Sequence, residues 1–126
     1  ETLAGQRIGL AHWYCKGVWK YMEDPKSQPF DQHLLLACIA PRALLLECYH
    51  KLWFDPKGEF LAAKAASPAW EFLAGKGLGL EEMPPEYSDC AVAINTGKLT
   101  VKFCGLSPYD WKWALDFADR AFGANK

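Results

Sequence analysis

No histidine follows His50 in this chain of 126 residues, so its second half contains no local imidazole for acid-base chemistry. Its serines, Ser27, Ser67, Ser88 and Ser107, all lie outside any Gly-x-Ser-x-Gly pattern, which leaves no readable strand-to-helix nucleophile elbow. The five cysteines, Cys15, Cys38, Cys48, Cys90 and Cys104, include no Cys-x-x-Cys pair, which argues against a zinc site and a thioredoxin-type motif. Gly75, Gly77 and Gly79 follow no strand as Gly-x-Gly-x-x-Gly and precede no Gly-Lys-Ser/Thr, so no phosphate loop and no cofactor are expected. No apolar run approaches the roughly 18 to 20 residues that span a bilayer. The N-terminal Glu-Thr-Leu-Ala-Gly lacks the basic-then-apolar order of a signal peptide, although a start at Glu1 rather than Met leaves a processed or truncated start open. Charge of one sign is lacking too: 14 basic and 15 acidic residues give a net charge of -1, so no nucleic-acid partner is expected.

Apolar side chains are plentiful. With 51% hydrophobic residues and 14% aromatics the chain can fill one core, and it is read as a single partial α/β domain over 1–126. Residues 1–29 are read as an irregular N-terminal segment and linker, rich in aromatics (Trp13, Tyr14, Trp19, Tyr21) without a clean period. From Phe30 the order helix, strand, helix, strand, helix predicts an α/β layer. Asp31 caps a helix to about Cys38, Pro41 ends it, and Ala43 to Cys48 reads as a buried strand. Asp55-Pro56 supplies an N-cap with proline at the first helical position, for a helix that runs to about Ala66 before Pro68 breaks it. Cys38 and Cys48, in apolar runs, read as buried small hydrophobes.

Cys90 to Ile94 and Leu99 to Phe103 alternate around Asn95-Thr96-Gly97-Lys98, a hairpin signal. A three-residue loop would set Asn95 opposite Leu99 and Cys90 opposite Cys104, within reach of a disulfide, whereas a two-residue loop would pair Cys90 with Phe103. Ser107-Pro108-Tyr109-Asp110 predicts a capped helix start, after which Trp111, Ala114, Leu115, Ala118 and Phe122 share a face expected to be core.

Several blocks together carry a family resemblance: His12-Trp13-Tyr14-Cys15, Phe30-Asp31-Gln32-His33-Leu34-Leu35-Leu36-Ala37 running into Ala40-Pro41-Arg42, and Trp53 to Ala62 (WFDPKGEFLA). Ser107-Pro108-Tyr109-Asp110-Trp111 and Leu115-Asp116-Phe117-Ala118-Asp119 follow. They resemble the C-terminal half of bacterial glucuronoyl esterases, carbohydrate esterases with an α/β-hydrolase fold whose close relatives include acetyl xylan esterases. The resemblance implies an α/β fold forming the C-terminal portion of a hydrolase, a partial sheet with flanking helices. It also implies a secreted or periplasmic setting.

That chemistry needs an elbow serine, a histidine, an orienting acid and an oxyanion hole. In the family the elbow lies upstream of every block matched here. The family histidine sits just before a Thr/Ser-Pro-Tyr-Asp-Trp-like segment, where this chain has Cys104, or Leu99 if the Thr96-Gly97-Lys98 turn sets the register. Neither substitutes for imidazole, since leucine does not titrate and an ordinary thiol is a poor proton shuttle near neutral pH. Where many members carry acids after the Ala43 to Cys48 strand, this chain reads Tyr49-His50-Lys51. Cys104 and Lys51 are therefore taken as degenerate catalytic positions, with no catalytic residue and no metal ligand assigned. His50 reads as an exposed loop residue, with replacement base as the alternative, and His33 as a local bond at a helix start. Trp53 matches the family tryptophan that packs on sugar and is the candidate substrate-binding residue.

The expectation is a degenerate, non-catalytic chain acting as a structural or interaction subunit with residual carbohydrate binding. The alternative is the C-terminal half of an active esterase on glucuronoyl or acetyl esters of xylan, with its nucleophile on another segment or chain. A truncated sheet leaves an edge and an apolar face, so another polypeptide or a homo-oligomer is the expected partner.

Overall fold

The computed structural model describes residues 8–49, 54–84, 92–95 (backbone), 97–104 and 111–123. The chain divides into two compact units, residues 1–32 and 33–126. In the first, a 3-10 turn at Ala11–Trp13 leads into helix α1 (Lys16–Glu23), inside the stretch read as irregular, and a second 3-10 turn follows at Pro25–Ser27. The Ser27 hydroxyl donates to the Asp24 carbonyl oxygen at 2.7 Å, a local bond that fixes this turn. Tyr21 meets Phe30 edge to face at 6.4 Å.

Helix α2 (Gln32–Ala37) opens with the Gln32 N–H on the Asp31 carboxylate at 2.7 Å. Strand β1 (Leu44–Tyr49), helix α3 (Pro56–Ala74), strands β2 (Val92–Asn95) and β3 (Leu99–Cys104), and helix α4 (Trp111–Phe122) complete the order. The sheet runs β1-β3-β2, with β3 central, parallel to β1 and antiparallel to β2. Every residue of β3 is buried, as expected of a strand covered on both faces. Leu99, Val101 and Phe103 point to α3 and pack with Phe60, Ala63 and Trp70, while alternation turns Thr100, Lys102 and Cys104 to the other face.

Helix α3 starts as its sequence predicts, with the Asp55 carboxylate accepting from the Gly58 N–H at 2.9 Å. It does not break at Pro68, which lies inside it. An interior proline costs about 3 kcal/mol. Two residues on, Trp70 is fully buried and its indole N–H donates to the Arg42 carbonyl oxygen at 2.9 Å. Burying roughly 200 Å² of tryptophan contributes about 5 kcal/mol, so tertiary packing carries the helix past its proline. Gly75, at φ 75°, then ends α3 in the left-handed conformation, its N–H on the Glu71 carbonyl oxygen. A clasp follows: the Ser67 hydroxyl donates to Glu71 at 2.8 Å and accepts from the Leu78 N–H at 2.7 Å. The chain passes so close here that a Cβ on Gly77 would run into the Ser67 hydroxyl and the Glu71 side chain.

Other expectations are corrected. Cys48 is buried but Cys38 is exposed, because the short α2 turns it outward one residue past its end. The hairpin pairs Asn95 with Thr100 and Val92 with Phe103, one residue further than a three-residue loop allows. Cys90 itself lies outside the described residues. Helix α4 forms, yet none of its residues is fully buried, and Trp111, Leu115 and Phe122 of the expected core stripe are exposed. Trp113 and Phe117 turn toward the protein instead, their rings stacked at 6.3 Å, because α4 meets a charged rather than an apolar face of the sheet.

Candidate functional site

Parallel strands end on the same side of a sheet, and in open α/β sheets that carboxyl rim is where ligands bind. Here the rim is formed by β1 and β3, whose last residues, Tyr49 and Cys104, are register partners. The candidate position Cys104 is thus on this carboxyl edge. Leu99, the other candidate for the histidine position, opens β3 at the opposite end and is sealed in the core under α3. Cys104 is 6% exposed, and its thiol lies 4.0 Å from the Lys102 carbonyl oxygen. Lys51, His50 and Trp53, which follow Tyr49 along the chain, lie outside the described residues, as does Ser107.

One residue before Tyr49, the Cys48 thiol points into the α3 side. Burial pushes its pKa far up, and the nearby Glu59 carboxyl, which accepts its hydrogen bond, pushes the same way. Cys48 is therefore an inert thiol at physiological pH, since the thiolate is the reactive form. Glu59 sits in the first turn of α3. Desolvation raises its pKa above the ordinary glutamate range, while the Cys48 hydrogen bond pulls it back. Its Oε2 is enclosed without a hydrogen-bond partner among the described residues. Asp55 behaves oppositely: the Gly58 N–H bond is the largest cause holding its carboxyl below the ordinary range.

Sequence reasoning missed Glu59. A charged residue among Phe60, Leu61 and Ala62 was a signal, but an acid in the first turn of a helix is also what the helix dipole favours, so the pattern concealed its burial.

Across the sheet, the Tyr49 hydroxyl donates to Glu47 at 3.5 Å, and Phe54 lies 6.4 Å from the Tyr49 ring. Of the described serines, Ser27 and Ser67 are both committed to structural bonds, in the Asp24 turn and the α3 clasp. His33 is the second residue of α2 and half-buried. Among the described residues no group of three or more His, Cys, Asp and Glu could hold a metal ion, and no helix is long and apolar enough to cross a membrane. The rim can offer hydrogen bonds and an aromatic surface. A proton relay of nucleophile, imidazole and acid is not assembled among these residues.

The family model for fungal glucuronyl esterases matches residues 1–74, more than half of the chain. The chain belongs to the glucuronyl esterase family. A carbohydrate esterase from an unknown prokaryotic organism is 32% identical over 124 residues, covering 94% of this chain and 28% of that relative. A 4-O-methyl-glucuronoyl methylesterase from Cerrena unicolor is 33% identical over 67 residues, 52% of this chain and 14% of the relative. Among solved structures, a glucuronoyl esterase from Solibacter usitatus superposes with a TM-score of 0.76 at 34% identity, over 95% of this chain and 31% of that one. A promiscuous CE15 esterase from a marine bacterial metagenome gives a TM-score of 0.80 at 28% identity, over 96% and 30%. This glucuronyl esterase family chain therefore has the α/β-hydrolase fold in part, two parallel strands with flanking helices, and it spans less than a third of the length of these relatives.

Proposed function

We propose that this chain is a degenerate, non-catalytic portion of a glucuronoyl-esterase-like carbohydrate esterase, acting as a structural or interaction subunit with residual carbohydrate binding. One observation carries the reading: Cys104 stands at the carboxyl end of β3, beside the end of β1, where the family resemblance puts the histidine. A buried thiol held toward a backbone carbonyl neither accepts a serine proton nor returns it to a leaving alcohol at neutral pH. Lys51 in place of the family acid supports the same reading, because a cation beside an imidazole would disfavour the imidazolium that the relay forms. Trp53 remains as the proposed sugar platform. Among the described residues β1 is an edge strand, and its outer edge offers backbone groups to another polypeptide or a second copy.

The test is an ester-hydrolysis assay of the purified chain on alkyl esters of glucuronic acid and on acetylated xylan, with calorimetric titration of glucuronoxylan oligosaccharides. No turnover, with oligosaccharide binding weakened by Trp53→Ala, is the expected result. Turnover abolished by Cys104→Ala would overturn it. The second reading, a portion of an active esterase completed by another segment, is favoured by the superposition on catalytic relatives of which this chain covers less than a third. It predicts turnover once a polypeptide carrying an elbow serine is added.

A further inference from the structure

The sheet carries one side chain that its surroundings make costly. Lys102 lies mid-strand on central β3 with its side chain 1% exposed. A buried ammonium persists only when paired and hydrogen-bonded. Its register partner on β1 is Glu47, whose carboxylate is 3.4 Å away. On the third side, the ammonium sits 4.6 Å from the centroid of the Trp113 ring of α4. Trp113 in turn stacks on Phe117, one turn along, at an interplanar angle of 6°. The Arg120 guanidinium lies 6.0 Å from the same indole, outside the stronger contact.

The two long helices of this unit are thus held differently. Helix α3 drives Phe60, Ala63, Ala66 and Trp70 into the core, whereas α4 buries no residue fully and rests an aromatic pair on a charge. Apolar burial is non-directional and tolerates small displacements, but a cation–π contact between desolvated groups is lost once the ring slides off the charge. We propose that α4 is a detachable strap, latched to the sheet by the Lys102 ammonium on the Trp113 ring, and that its release uncovers the Thr100–Lys102–Cys104 face of β3. Glu47 serves the latch from below. It neutralises the lysine, so that the charge stays paired whether or not the ring is in place. Cys104, two residues beyond Lys102 on the same face, reports the open state, and Cys48, on the α3 face, reports whether the core has opened as well.

The test uses the full chain and two readouts: hydrogen exchange across α3 and α4, and the labelling rates of Cys104 and Cys48 followed by mass spectrometry. Trp113→Leu removes the ring and keeps the ion pair. The double variant Lys102→Met with Glu47→Gln removes the buried charges and keeps the ring. Both are expected to speed α4 exchange and Cys104 labelling roughly thirtyfold, the size of a desolvated cation–π contact, with α3 exchange and Cys48 labelling unchanged. Unchanged α4 exchange in either variant would overturn the latch. So would acceleration of α3 and Cys48 together with α4 and Cys104, which would make the cluster ordinary core. Lys112→Ala, on the exposed ion pair of the same helix, is the control expected to alter neither readout.

Discussion

The two faces of β3 solve burial in opposite ways. Toward α3, Leu99, Val101 and Phe103 meet Phe60 and Trp70 in a dry apolar contact, with the Phe60 and Phe103 rings 6.2 Å apart. Toward α4, Thr100, Lys102 and Cys104 are equally buried, but the packing centres on a charge neutralised by Glu47 and covered by Trp113. One face is therefore held by area, which any well-shaped apolar residue supplies, and the other by specific partners whose loss cannot be repaired by a neighbour. The candidate position Cys104 belongs to the second face. The apolar packing and the candidate position thus lie back to back on one strand.

The largest break in this contrast is Phe103→Ala. It empties the α3 face of an aromatic side chain and is expected to cost about 3 to 5 kcal/mol in chemical denaturation, with the Lys102–Trp113 contact on the α4 side untouched by the substitution itself. A smaller loss is expected from Ser67→Ala. It leaves the buried Leu78 N–H without its acceptor and should cost about 1 to 3 kcal/mol by the same measurement. Gly77→Ala should act in the same direction, since its Cβ meets that hydroxyl and its Glu71 partner.

Glu59 sharpens the comparison, because it is the polar intrusion on the apolar side and lacks the full pairing that Lys102 enjoys. Its folded-state pKa is raised, so the folded chain holds the proton more tightly than the unfolded chain does. The contribution is present below the ordinary glutamate range and is lost as pH rises through the raised value. Thermal midpoints measured from acid to neutral pH should fall in that window for the native chain, and Glu59→Gln should remove this component. Asp55 has the opposite sign: its lowered pKa adds stability above the ordinary aspartate range that is lost on acidification. The smallest effect belongs to neither face. Lys112 pairs with Asp116 at 2.8 Å on the exposed side of α4, and Lys112→Ala should change stability by no more than about 0.5 kcal/mol, less still in high salt.

Much of the local structure was legible because its causes are local. The Asp55-Pro56 start of α3, the Leu-rich strand before it, the hairpin around Gly97 and the existence of α4 follow from caps, turn residues and periodicity, which act over a few neighbours. Family membership was legible for a related reason, since its blocks are short and contiguous in sequence. Tertiary structure alone decided the rest. Pro68 stays inside α3 because Trp70 is buried beyond it, and the hairpin register shifted because β3 answers to β1 as well as to β2. Trp113 rather than Trp111 faces the sheet because the partner waiting there is Lys102, a residue distant in sequence. Glu59 is enclosed for the same kind of reason, since only the folding of β1 against α3 brings Cys48 to its carboxyl. By itself the sequence determined where the helices and strands after Phe30 begin and which family the chain belongs to, but not the α1 helix or the full length of α3. Which face of each segment is buried, and against what charge, depends on residues far apart in the chain and was decided only when they met.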